Sequence, residues 1–213
     1  MRRDAVIPRG DLRLAGRLVT PEQKGPFPCV LFVHGLGSDR DSPRNVVIAE
    51  RLIGHGIAAL LFDLSGHGQS DPDPTGCAGS AADVTAAFGW ARSQPELDPR
   101  SIGVAGSSLG GVLALEALAT GGIEPAAMVL RAPPVMAGEL RNIRVPTLVI
   151  IGSADPLLWG VQAAAEDVRT VRLEVVQGAG HLFEEPGALE HASSATVDWF
   201  AMHLHPAGAL AGR

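Results

Sequence analysis

From Ala5 to Thr20 apolar positions alternate with polar ones: Val6-Ile7-Pro8, a turn at Arg9-Gly10-Asp11, then Leu12, Leu14, Gly16 and Leu18. Period-two alternation around a glycine-containing turn predicts a β-hairpin with one face on a core. A Pro/Gly-rich stretch follows, Pro21 to Pro28, and then the alternation stops. Cys29-Val30-Leu31-Phe32-Val33 is apolar throughout, as a strand buried on both faces must be. Further strands are predicted at Ile57–Phe62, Ser101–Ala105, Ala127–Leu130, Thr147–Ile151 and Val171–Val176. Between them lie helical stretches: Pro43–His55 with one apolar stripe, Ser80–Ser93, Ser108–Ala119, Leu158–Val168 and an amphipathic Gly187–His203. Strand and helix alternating at this spacing imply an α/β fold, a mostly parallel sheet with helices on both faces. The 213 residues suit a single domain spanning 1–213. Pro206 to Arg213 read as a frayed tail.

Composition changes that picture only by exclusion. Aromatic residues are 4% of the chain, with no Tyr, so the stacking platforms of single-stranded RNA or DNA binders are missing. The net charge of −6 gives no general attraction to a polyanion, and no nucleic-acid partner is expected. The two cysteines, Cys29 and Cys77, have no metal-ligand spacing around them, and Cys29 in its apolar run reads as a buried, inert thiol. The N-terminus lacks the apolar segment of a signal peptide, and no apolar run approaches the roughly 18 residues of a membrane helix. The expected address is the cytosol, without a membrane partner. A homo-oligomer is left open.

In an open parallel sheet, active sites gather beyond the carboxyl ends of the strands, and the informative residues fall there. Gly106-Ser107-Ser108-Leu109-Gly110 joins a predicted strand to a predicted helix. That strand–turn–helix setting is what a G-x-S-x-G nucleophile elbow needs: the glycines allow a sharp turn, and Ser108 projects at its tip. The N–H of Leu109, at the start of the helix, can stabilise developing negative charge. By itself the motif could equally be a plain turn with a serine N-cap.

His34-Gly35-Leu36-Gly37, directly after the first buried strand, makes the pattern specific. With the elbow, it resembles the α/β-hydrolase superfamily, in which an H-G-x-G turn supplies the second oxyanion-hole donor. The matching group here is the N–H of Leu36, beside that of Leu109. Asp63-Leu64-Ser65-Gly66-His67-Gly68-Gln69-Ser70 resembles the D-x-x-G-H-G-x-S turn that many members carry after the next strand. His34, Asp63 and His67 are expected to be structural. Asp155 follows the strand ending at Ile151, and His181 follows the one ending at Val176. The order Ser108, Asp155, His181 is the family's triad order. Asp155 would hold the imidazole in its working tautomer. Some members carry the acid after the preceding strand, but here Ala132-Pro133-Pro134 offers no carboxylate before Glu139. His55, His191, His203 and His205 lie in predicted helices or at their ends.

The resemblance runs from about Ala5 to His203. It implies hydrolysis of small carboxylic esters through an acyl-enzyme on Ser108, with a small-molecule ester substrate and no metal or organic cofactor. Only Arg131 to Pro146 separates two strands where lipases insert a lid, so the architecture is expected to be capless, similar to dienelactone-hydrolase-like proteins and small carboxylesterases. True dienelactone hydrolases carry cysteine where this chain has Ser108. Leu36, Met136, Leu157, Trp159 and Leu182 are the expected apolar contacts of the substrate. A thioesterase, a cofactor-free acyl transferase or perhydrolase, and a non-catalytic binding protein remain open as alternatives.

Overall fold

The computed structural model describes residues 1–204; the tail expected at 206–213, and His205, lie outside the described residues. In chain order the elements are β1 (Arg2–Arg9), β2 (Leu12–Val19), β3 (Phe27–Val33), α1 (Pro43–Gly54), β4 (Ala58–Phe62), α2 (Ala81–Arg92), β5 (Leu97–Ser107), α3 (Leu109–Ala119), β6 (Ala127–Arg131), β7 (Thr147–Gly152), α4 (Leu158–Ala165), β8 (Val171–Val176) and α5 (Ala188–His203). The strands form one sheet in the order β1-β2-β4-β3-β5-β6-β7-β8. β2 runs antiparallel to both its neighbours, and every other pairing is parallel.

The residue pattern explains the layering. In β2 the alternation puts Leu14 and Leu18 inside, and Ile7 of β1 joins them. β3, β4, β6 and β7 are buried at every position, because helices cover both of their faces. One apolar cluster gathers Leu31, Val104 and Leu130 with Val84 of α2, Leu113 of α3 and Val161 of α4. The other gathers Phe32, Ala105 and Val129 with Ile48 of α1 and Phe200 of α5. Each large side chain so buried contributes about 1.5–3 kcal/mol relative to exposure. No described helix is long and apolar enough to cross a membrane.

Among the boundaries that differ from the sequence reading, two have a clear local reason. β5 starts at Leu97 rather than Ser101: Phe27 pairs with Leu97, and a register irregularity between Phe27 and Cys29 accommodates Pro99. Pro8 is likewise tolerated because β1 is an edge strand. α4 stops at Ala165 instead of reaching Val168, and Asp167 just beyond it takes a left-handed φ of 59°. Residues 132–146 form successive turns without a helix, pinned down by buried Val135, Leu140 and Ile143, and build no lid.

Candidate active site

The turn between β5 and α3 holds Ser108 at φ 50° and ψ −119°, a conformation that side-chain-bearing residues rarely adopt and that costs on the order of 1–3 kcal/mol. Its flanks have to be glycine. A Cβ on Gly110 would stand 2.2 Å from the Val33 carbonyl oxygen, and one on Gly106 would stand 2.6 Å from Gly111 Cα. The close approach of α3 to β3 is therefore what turns the serine outward. The Ser108 N–H donates to the Arg131 carbonyl oxygen at 2.8 Å, which fastens the elbow to the end of β6. Among the described residues the N–H groups of Leu36 and Leu109 are taken up by no hydrogen bond.

The loops after β7 and β8 are stapled to each other. Ala154 N–H donates to Ala179 O at 2.9 Å, Ser153 N–H to Val176 O at 2.9 Å, and Gly178 N–H to Ser153 Oγ at 2.8 Å. A Cβ on Gly152 would lie 2.1 Å from Ala179 O, so only glycine lets the two loops close. This closure brings Asp155 to His181. The imidazole Nδ1–H donates to Asp155 Oδ2 at 2.8 Å, leaving Nε2 to accept from Ser108 Oγ–H at 3.2 Å. Asp155 is 4% exposed, and its Oδ1 accepts the Leu157 N–H at 2.9 Å, so both carboxylate oxygens are held. An imidazole oriented in this way can take a proton from the serine and give it to a leaving group. Glu139 is exposed, and its carboxylate accepts the N–H of Met136 in its own turn.

The neighbouring motif residues brace the frame. His34 Nε2 accepts the Leu64 N–H at 3.0 Å while Nδ1–H donates to Gly35 O at 2.9 Å. Burial, above all, holds the His34 pKa below the usual imidazole value. Its ring meets that of His67 edge-on at 5.0 Å. Asp63 is buried and accepts the Arg40 N–H at 2.7 Å, the Arg40 Nη1–H at 2.9 Å and the Gln69 N–H at 2.9 Å. That pair ties the loop after β3 to the loop after β4. Asp83 on α2 ties the other end by accepting the N–H and Oγ–H of Ser65. Cys29 lies buried inside β3, where desolvation pushes its thiol pKa up to about 12, far from a reactive thiolate.

A cavity of about 140 Å³ opens beside Ser108 and His181. Of the expected apolar contacts, Leu36 and Leu182 line it; Met136, Leu157 and Trp159 do not. Leu157 packs into the core, Met136 reaches over Gly160, and the 81% exposed Trp159 borders a separate groove on α4. The loop after β6 bends toward α4, where Met136 meets Gly160, while Leu157 and Trp159 stand at the start of α4 itself, after β7. In their place the wall is largely polar, with Ser42, Arg44, Asn45 and Arg131. Sequence reasoning missed these four. The one available signal was an arginine directly after the apolar run Ala127–Leu130, where a buried strand end would put it at depth.

Comparison with known proteins bears on the family and the fold. Residues 10–138 match the family of X-Pro dipeptidyl-peptidases (S15 family), a span that includes Ser108. A solved dienelactone hydrolase from Anabaena variabilis superposes with a TM-score of 0.82 at 32% identity, covering 96% of this chain and 99% of that one. An esterase from Pyrococcus furiosus gives 0.79 at 20% identity, covering 96% of this chain and 92% of that one, a likeness of fold alone. A Mycobacterium tuberculosis protein provisionally named a phosphoribosyl transferase is 39% identical in a 204-residue match that covers 92% of this chain. The chain spans only 45% of that relative's length. Taken with the eight-stranded sheet, these matches show that the chain belongs to the α/β-hydrolase superfamily, in the family named for the X-Pro dipeptidyl-peptidases (S15 family).

Proposed function

We propose that the protein hydrolyses small carboxylic esters through an acyl-enzyme on Ser108. The single observation behind this reading is the hydrogen-bonded series Asp155, His181, Ser108, which ends on a strained serine. Ser108 Oγ bonds to the ester carbonyl carbon as its proton passes to His181 Nε2. The oxyanion that forms is held by the Leu36 and Leu109 amides. When it collapses, the bond to the alcohol oxygen breaks and the alcohol leaves with the proton from His181. Water then repeats the sequence on the acyl group, giving its proton to His181 and freeing the acid and Ser108. Asp155 keeps the imidazole in the required tautomer and stabilises its charged form. More than half of the relative named a phosphoribosyl transferase lies outside the match, so that name is no guide to the chemistry here.

The lidless connection and the small cavity favour short acyl groups. A buried methylene contributes about 0.8 kcal/mol, but only where protein covers it. A series of 4-nitrophenyl esters from acetate to palmitate tests this. The expected result is a maximum in kcat/KM among the short esters and no jump above the critical micelle concentration. Absence of turnover across the whole series would overturn the ester reading, and a long-chain maximum would overturn its size preference.

A further inference from the structure

Arg131 ends β6 with 2% of its surface exposed, opposite Ser107 in the sheet register and bonded through its carbonyl to the Ser108 N–H. Period-two alternation sends its side chain to the face of Ala127 and Val129, toward α1. There its Nη2 donates to the Asn45 Oδ1, which is neutral. Its Nε is buried with no partner, and among the described residues no carboxylate pairs with the guanidinium. The charge that acts on it is another cation, Arg44. Burial first, and then Arg44, lower the Arg131 pKa to about 10. Among the described residues Arg44 itself has only a distant ionic contact, 3.8 Å to Glu184, whose side chain is 70% exposed. Buried charges are ordinarily paired, because an unpaired one forfeits its hydration without compensation. Arg131 is one of the residues lining the cavity beside the nucleophile, together with the Asn45 to which its guanidinium is bonded.

We propose that Arg131, with Asn45 beside it and Arg44 at the rim, is a carboxylate subsite, so that the preferred esters carry a negative charge on the part of the substrate lodged in this cavity. The planar guanidinium fork suits a carboxylate. Size limits the group further. A cavity of about 140 Å³ suits a short acidic chain such as a succinyl group. This proposal rests on the ester-hydrolase reading above and narrows it to acidic acyl groups.

The test compares monoethyl succinate with ethyl succinamate, equal in heavy-atom count and different in charge, by ethanol release. The wild type is expected to favour the acid by about tenfold or more in kcat/KM, the usual worth of a charge-assisted hydrogen bond. In Arg131→Gln that ratio collapses to about one, whatever happens to the absolute rate, and in Arg44→Gln it falls part of the way. Because Arg131 is buried, a binding readout stands beside the kinetics: succinate should raise the wild-type melting temperature at low salt, succinamide should not, Arg131→Gln should lose the shift and Arg44→Gln part of it. A wild type that cleaves the neutral ester at least as fast as the acid overturns the subsite and leaves the hydrolase reading in place. A wild type that cleaves neither ester contradicts the hydrolase reading, and the succinate shift then decides the subsite alone.

Discussion

Ser108 stands between two sides that treat charge differently. Toward β7 and β8, Asp155 gives both carboxylate oxygens to fixed partners, the His181 ring and the Leu157 N–H. Toward β6 and α1, Arg131 is buried as deeply but has only a neutral amide and a neighbouring cation. The difference is one of purpose. The matched side is complete in itself, and its chemistry would serve any ester. The unmatched side is complete only when something negative enters the cavity. Arg40 is the internal control: it too is buried and too leaves its Nε without a partner, yet Asp63 and Gln69 satisfy the rest of its guanidinium. A buried arginine that braces the scaffold comes with its carboxylate.

The largest effect lies on the matched side. Asp155→Asn should keep the fold but lower kcat/KM by about 10⁴-fold, because the amide favours the wrong imidazole tautomer. Near-normal turnover on any good ester would mean that another acid, such as Glu139, serves the histidine. The next effect concerns stability and separates the two arginines. Asp63→Ala strands the Arg40 charge and should cost about 3–5 kcal/mol in urea unfolding. Arg131→Met removes a charge that has no counterion, leaves Asn45 one bond short, and should fall within about 1 kcal/mol of wild type. Equal losses in the two variants would erase the contrast between a braced and an unbraced arginine.

The smallest effect comes from His34, whose folded pKa is depressed by burial below its ordinary 6.5. Below pH 6.5 the unfolded chain takes up a proton that the folded one refuses, so this contribution is full above 6.5 and is lost as pH falls toward the folded value. Unfolding free energies measured between pH 8 and pH 5 should therefore decline on the acid side, with a shallower slope in His34→Asn. Parallel slopes would remove His34 as the cause.

What was legible in the sequence follows from how local each signal is. Apolar runs mark β3 and β7 because burial on both faces leaves no polar position to hide them. The elbow, the H-G-x-G turn and the order of Ser108, Asp155 and His181 are short strings at strand ends, readable without knowing the packing. The extension of β5 through Pro99 was hidden, since proline reads as a breaker unless the strand pairing opposite it is irregular. The pocket wall was hidden for a stronger reason. Whether Arg131 faces solvent or Asn45 depends on where α1 lies relative to β6, a tertiary relation with no trace in either segment. Met136 was misplaced by the same kind of dependence, on the path of the loop after β6, and Trp159 by the placement of α4 after β7.

The central claim is that Ser108 is an activated nucleophile, and a fluorophosphonate tests it without choosing a substrate. Intact mass spectrometry with peptide mapping should find one adduct per chain, on Ser108, absent from Ser108→Ala and strongly slowed in Asp155→Asn. An adduct on Ser107, or none on a folded protein, would contradict the account.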